Sequence, residues 1–579
     1  MGLLVICGLY VSMSCTGISW GLPSRKIDPF LFGGAEAWSG EKIFQLARAG
    51  EKLSSANMSS LGADVDVNPL IPRANEPALL TGTDEDIAKI YLRYRLYTYQ
   101  PDEMITMMAL AGMRPGDLQF DPRLYQYGGL FIYPVGVLIK FCGILGLIDV
   151  RSDLVYYLDN PDEFGKFYVV ARSYSAAWGL LGVLLVFGLT RRMAAAIQIG
   201  SEVRTCSADL AGLIAALLFT LMPVVVCMSH EGKPHLPGAV LMLLAVYLAI
   251  RSVELSRPSA IDNRKYFWFT CVCCGGAVGM VLSSWPICVL IPLVAFFQDR
   301  RSMIDDRGTK EEWQSAAKKS LLGGIIALGI YFATNPYVLI NCFVNRVVLR
   351  SNFGNSLAMY EVSRLREGFV RVLELTMEGA TFPLMLVGVI ALIIGLATRI
   401  RRCRSFWVLI VPAAMFFTQF VLIGAGKPPE YGRFGIFTNT ALAIGAAALL
   451  CGRWFTCIWG VRTLLPLLLL VWTGYFGLSY LRDFQKDSSG EGTRMVMARE
   501  IRDGQYGPKQ QLEFALLAEP APYSCPPLPF NSTNVWLLPD VTSTFPDLRK
   551  PLLFIRPWDQ SIGWADKFFV TTRWMGSGR

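Results

Sequence analysis

The chain has 579 residues, 53% hydrophobic and 17% charged, with a mean hydropathy of +0.40. A soluble protein carries about 25% charge, and the apolar residues here gather into runs long enough to cross about 30 Å of hydrocarbon, so a water-soluble globule is excluded. The net charge of +9 includes no basic run interleaved with exposed aromatics, which argues against nucleic acid as a partner; its distribution is read as a topology signal.

Residues 3–20 are apolar and close on Trp20-Gly21-Leu22-Pro23. Without a positive n-region or a clear cleavage pattern, they read as an uncleaved first span. Residues 24–128 are polar. Within them 84–99 has apolar residues at helical spacing among charges, the pattern of an interfacial helix. Gln100-Pro101-Asp102-Glu103 follows, two adjacent carboxylates after a proline. Residues 129–147 are apolar but hold Pro134 and Lys140, and 151–168 are polar again. Further spans are expected near 173–189, 208–228, 236–250, 266–284, 286–298, 320–338, 381–398, 406–424, 434–451 and 463–480. The stretch 266–298 would run roughly 50 Å as one helix, and Trp285-Pro286 divides it into two short passes.

The basic residues set the orientation. With the N-terminus inside and 129–147 treated as a re-entrant or surface helix, the clusters at 191–204, 251–265, 300–319, 399–404 and 453–462 all fall inside. The loop 339–380 carries five arginines on the other side, which weakens the contrast without reversing it. The expectation is an all-α polytopic membrane protein of about 11 spans. It would have a transmembrane domain over 1–480, including a large external loop 24–168, and a small external C-terminal domain over 481–579. Most of the 14 cysteines, such as Cys271, Cys273 and Cys274, lie in apolar runs and read as small hydrophobes rather than metal or redox groups. Cys342 and Cys525 lie in polar segments where a disulfide could form.

Three polar clusters share the external face in this topology. The first is Asp102 and Glu103 with the following aromatics Tyr125, Tyr127, Phe131 and Tyr133. The second is Ser229-His230-Glu231-Gly232-Lys233-Pro234-His235, which holds both histidines of the chain. The third is Lys427-Pro428-Pro429-Glu430-Tyr431-Gly432-Arg433-Phe434. A zinc-protease reading of the second fails. Its histidines stand five apart rather than four, and Pro234 opposes a continuous helix. Taken singly, a carboxylate pair is as readily solvated surface, and Arg433 a span anchor. Together, carboxylates, imidazoles and cations at one membrane face suit an anionic lipid-linked substrate.

In order, these motifs resemble the membrane-embedded glycosyltransferases of the C superfamily, the class of protein O-mannosyltransferases and aminoarabinose lipid A transferases. Trp20-Gly21-Leu22-Pro23 is followed, after about 76 residues, by Gln100-Pro101-Asp102-Glu103, where the family has a His-Pro-Asp-Glu-like motif. Ser229 to Pro237 resembles a family stretch with His235 at a position where Asp is common. Asn335-Pro336-Tyr337 and Glu430 to Phe434 also have counterparts.

The resemblance covers about residues 1–480 and implies a polyprenyl-phosphate-linked sugar donor, transferred with inversion to an acceptor hydroxyl on a lipid, glycan or protein. It implies an external active site, in the cytoplasmic (inner) membrane of a bacterial cell envelope. Asp102 would be the general base, and Glu103 would orient the acceptor or a divalent metal. His230, Glu231, Lys233, His235, Arg433 and Tyr127 would bind substrate, with Lys233 and Arg433 on the donor phosphate. No cofactor is required by the sequence. The rival readings are a transporter or flippase, whose mark would be mid-membrane ionisable residues in paired repeats, and a non-catalytic assembly protein acting through its tail.

Overall fold

The computed structural model describes residues 1–58, 78–79, 81–100, 102–198, 208–254, 261–299, 310–358, 360, 362–424, 432–450, 459–505, 513–517, 526–538, 552–558 and 567–573. Pro101, the stretch Lys427 to Tyr431, Cys525, and the basic residues Arg204, Arg257, Arg300, Arg301, Arg307 and Arg453 lie outside the described residues. Cys342 is a free thiol.

Helix dominates. Among the described residues, six helices are long and apolar enough to cross a membrane: Pro161–Ala195, His235–Glu254, Lys310–Thr334, Arg404–Ile423, Gly432–Leu450 and Leu464–Ser489. The number rises to eight if each of two bent pairs is one span: Ala208–Leu221 with Pro223–Ser229, bent by 59°, and Leu365–Ala380 with Phe382–Ala397, bent by 110°. The remaining expected passes fall on helices outside that set. The first is Gly2–Cys15, and the break at Trp285-Pro286 is a 3-10 stretch, Leu282–Val289, between Ile261–Met280 and Leu290–Asp299.

The bundle has two chemically distinct ends. The helix Pro161–Gln198 carries Arg172 near its start and Arg192 near its finish, and His235–Glu254 starts at the histidine cluster and finishes at Glu254. Arg192 meets Glu254 at 3.2 Å and the Ser405 hydroxyl lies 3.1 Å from the same carboxylate. Twenty helical residues rise about 30 Å, so this basic end stands a bilayer's width from the cluster at 229–235.

One expectation is corrected. The helix Asp84–Leu96 does form, capped by the Thr83 hydroxyl on the Asp86 amide, with Asp84, Glu85 and Asp86 in its first turn and Arg93 and Arg95 in its last, as cap and dipole preferences favour. Its apolar side is buried in protein, however, and does not lie at a lipid interface. Tyr91 packs on Phe32, Trp38 and Phe530, and Arg95 pairs with Asp28 at 2.9 Å. Phe530 belongs to the tail. Tyr94 also donates to the Pro526 carbonyl at 2.9 Å, and the short strand Ala78–Leu79 pairs antiparallel with Asn534–Leu538. The polar segment after the first span and the C-terminal tail thus fold against each other.

The tail adds β structure to an otherwise helical chain. A five-stranded mixed sheet has the spatial order Ala78–Leu79, Asn534–Leu538, Glu513–Leu517, Leu552–Trp558 and Lys567–Arg573, its middle pairings parallel and its outer ones antiparallel. The helix Trp459–Ser489 continues past residue 480 without a break.

Candidate functional site

The acidic motif opens the helix Asp102–Ala111, where a carboxylate is favoured by the unpaired amides of a first turn. Successive helical residues point about 100° apart, and the two carboxylates accordingly enter different networks.

Glu103 faces into the protein. Its carboxylate takes a two-point bond from Arg172, 2.9 Å from Nε and 2.6 Å from Nη2, and both side chains are fully buried. The Gly232 amide donates to Glu103 Oε1 at 2.7 Å, and the Thr98 hydroxyl lies 2.7 Å from Oε2. Arg172 spends its remaining nitrogen on the Ile18 and Trp20 carbonyls, both at 2.7 Å. The expected role of Glu103 in orienting an acceptor or a metal is therefore corrected. Both oxygens are engaged by protein, and the residue ties together the end of the first helix, the acidic motif and the loop after Ser229. Gly21 takes a positive φ of 57° and a Cβ there would meet the Tyr99 ring at 2.7 Å, so only glycine lets that turn close on the segment around Tyr99.

His230 is likewise structural in its contacts. Its ring nitrogens lie 2.7 Å from the Val226 carbonyl and 2.8 Å from the Thr16 carbonyl, and its ring stacks on Phe484 at 4.5 Å. Burial pushes its imidazole below the ordinary value, with the two carbonyls opposing. It stands behind the cluster and does not line it.

Asp102 turns the other way. Its Oδ2 lies 3.2 Å from Lys233 Nζ and 3.2 Å from Arg433 Nη2, and Lys233 Nζ lies 3.0 Å from Glu231 Oε2. The Asp102 side chain is 30% exposed, against 11% for Arg433 and none for Lys233 and Glu231, so the carboxylate is the member most open to a substrate. Burial works against its charge, but the two cations outweigh this and hold the carboxyl well below the usual carboxylate range.

Arg433 sits in the turn Gly432–Gly435 and lines a small cavity with His235, Phe434, Ser284, Gln419 and Phe437. The His235 ring is held edge-on between Tyr127, at 5.8 Å, and Phe434, at 5.2 Å. Tyr127 is fixed by a bridge to Val281, flanked by hydrogen bonds Gly128 N–H to Met280 and Leu282 N–H to Gln126. A Cβ on Gly128 would overlap the Gly279 carbonyl oxygen, so this seam demands glycine. The Asn335 side chain accepts from the Gly129 amide at 2.7 Å. The structure thus brings Asp102, Glu231, Lys233, His235, Arg433 and Tyr127 together and leaves Glu103 and His230 behind them.

Arg172 was not read from the sequence as part of the site, nor were Thr98 and Asn335. Arg172 is one cation at the edge of an apolar run, and only its partner identifies it.

Glu231 has its own titration. Burial pushes its carboxyl up from 4.5 to about 7, with Glu103 adding to this and Lys233 and Arg433 opposing it. Asp102 also faces Lys233. A raised folded-state value means that Glu231 keeps a proton which the unfolded chain has released. Its contribution to stability is complete below about pH 4.5 and is lost as the pH rises through about 7. Thermal unfolding in detergent should therefore show the native protein losing stability across that window relative to Glu231→Gln. Parallel curves for the two proteins would show that Glu231 is ionised throughout.

The donor set does not fit a divalent cation, which takes several oxygen ligands. Asp102 and Glu231 already meet Lys233 and Arg433, and Glu103 meets Arg172. Among the described residues no three His, Cys, Asp or Glu converge as a metal would need.

Fold and site together define a polytopic helical membrane protein with a buried acid–base cluster at one end of its bundle. No protein-family profile matches the chain, and no curated protein does. Solved structures similar in fold include ArnT from Cupriavidus metallidurans bound to undecaprenyl phosphate, at 16% identity over 72% of this chain and 71% of that one, TM-score 0.44. The same protein in the apo state matches at 15% over 82% and 85%, TM-score 0.43. The Archaeoglobus fulgidus oligosaccharyltransferase in complex with Zn and sulfate matches at 14% over 69% of this chain, TM-score 0.38; the present chain spans 49% of that protein's length.

Proposed function

We propose that the protein transfers a sugar from a polyprenyl-phosphate-linked donor to an acceptor hydroxyl at the external face of a membrane, here the inner membrane of a bacterial envelope with the N-terminus inside. The observation that carries this reading is the bracketing of the half-exposed Asp102 by Lys233 and Arg433 at one end of the bundle. The cations that suppress the basicity of Asp102 are the ones a donor phosphate would take. Arg433 lines the cavity and would meet the phosphate through charge-assisted hydrogen bonds. Lys233, enclosed between Asp102 and Glu231, would act at closer range to the carboxylates.

As phosphate draws these cations, the Asp102 carboxyl regains basicity. The acceptor oxygen then attacks the anomeric carbon, its proton passes to Asp102, and the bond from that carbon to the phosphate oxygen breaks. Attack opposite the departing phosphate inverts the centre. An apolar cavity of about 610 Å³ supports a lipid-linked donor. Its lining includes Phe369, Leu373, Met385, Leu409, Phe417 and Leu442, drawn from helices that include three of those on which the turn Gly432–Gly435 packs.

The test is donor binding to the protein in nanodiscs. Arg433→Ala should weaken affinity for a polyprenyl-phosphate sugar by about 10- to 150-fold, as loss of a hydrogen bond to a charged group implies. Lys233→Ala should weaken it less and lower the unfolding temperature more, since it strips the buried Glu231 and the partly exposed Asp102 of their shared cation. Unchanged affinity in both variants removes the phosphate site from this cluster. Movement of the lipid-linked sugar across vesicles without transfer would favour a flippase.

A further inference from the structure

The helix Arg346–Ala358 is built inside out. At about 100° per residue, Arg346, Val347, Arg350, Phe353 and Leu357 share one side. All five are exposed, Val347 at 72% and Phe353 at 62%. The opposite side carries Asn352 and Ser356, whose side chains are hydrogen-bonded, beside the half-buried Val348 and Leu349. A surface helix of a soluble protein does the reverse. Phe343 and Val344, just before it, are also exposed. The helix contains no Asp or Glu. Its chain leaves the membrane-length helix Lys310–Thr334 and returns through the bent pair Leu365–Ala380 and Phe382–Ala397, so both ends are tethered to apolar passes.

We propose that this face lies in the headgroup layer of the bilayer and binds anionic phospholipid. Val347, Phe353 and Leu357 occupy the acyl boundary, and Arg346 and Arg350 meet lipid phosphates, the arrangement an amphipathic in-plane helix adopts. Its charge complements an anionic surface, and its attachments hold it at that level. This inference does not depend on the sugar-transfer reading. It also accounts for arginines in a loop where the charge rule expects few.

The inner side links the contact to the cluster. The Asn352 side chain accepts from the Tyr125 amide at 3.0 Å and donates to the Arg123 carbonyl at 3.1 Å, and the Gln126 side chain donates to the Asn352 carbonyl at 3.3 Å. The next residue, Tyr127, is the one set against His235. Lipid on the outer side of this helix therefore steadies the loop that forms one wall of the site.

The experiment is amide hydrogen exchange over 342–358 in the full-length protein, in nanodiscs of phosphatidylcholine alone and mixed with phosphatidylglycerol. Anionic lipid should slow exchange by about fivefold per arginine, about 25-fold for the pair. The effect should fade at high salt and vanish in Arg346→Gln/Arg350→Gln, whose substitutions lie on an exposed face and spare the fold. Val347→Asp/Phe353→Asp should lose protection in both lipids. Equal exchange in neutral and anionic discs overturns the proposal, as does an anionic effect that survives loss of both arginines. Protection that follows protein concentration and not lipid composition would assign the face to a second copy of the chain.

Discussion

Replacing Asp102 by Asn should cut turnover of a lipid-linked sugar by about 10²–10⁴-fold, the range for loss of a general base, with donor affinity retained or improved. The two halves of this expectation have separate causes. Asparagine keeps the shape of the side chain but cannot take the acceptor's proton. It also leaves Lys233 and Arg433, both 3.2 Å from the native carboxylate, with less negative charge to answer, so a donor phosphate no longer competes with Asp102 for them. A fall in kcat beside an unchanged or lower dissociation constant marks a group that acts in the transition state. Near-native turnover in Asp102→Asn would end the catalytic assignment. Normal folding with lost donor binding would instead make Asp102 a scaffold for its two cations.

Arg172→Ala should be the most destabilising single change at this end of the molecule, by about 3–5 kcal/mol, because it strands a fully buried carboxylate. Glu103→Gln should cost less. Arg172 would keep the Ile18 and Trp20 carbonyls, and the amide can still accept from Gly232. The pair should be strongly non-additive, since removing both charges together avoids an isolated buried ion. Thermal unfolding and yield of the two single variants and of Glu103→Gln/Arg172→Ala would decide this. Independent, additive losses would show that the bridge carries no coupling. A Glu103 that oriented the acceptor or a metal would make Glu103→Gln a mild catalytic variant. The structure makes it a stability variant, because neither carboxylate oxygen is left for substrate.

The membrane passes were legible because hydrocarbon thickness and helical rise fix the length of an apolar run, and Trp285-Pro286 interrupts one of them where the helix breaks. Bringing Asp102, Lys233 and Arg433 to one face was legible too, since span ends and basic loops constrain which loops meet. Side-chain direction was not. Asp102 and Glu103 look alike in a string of letters, and only the first turn of their helix separates a half-exposed acid from a buried one. The packing of Tyr91 on Phe530, and of Ala78–Leu79 on Asn534–Leu538, joins residues more than four hundred positions apart, for which no local periodicity exists. The helix 84–96 was amphipathic as read; whether its apolar side meets lipid or protein depends on a tail whose own fold is set at long range.

The partners of the buried Glu103 carboxylate have a consequence for how the chain is made. They lie at residues 18, 20, 98, 172 and 232 through direct or relayed bonds, and the ring stacked on His230 comes from residue 484. Synthesis delivers these in order. The acid emerges long before its arginine, and stays hydrated until the helix carrying Arg172 has entered the membrane. The loop holding Gly232 and Lys233 then closes one side, and Phe484 closes the back only when the last long helix arrives. Late long-range closure of this kind is slow and exposes unfinished surfaces. A nascent chain stalled before residue 484 holds every residue of the acid–base cluster and still lacks the wall that stacks against His230.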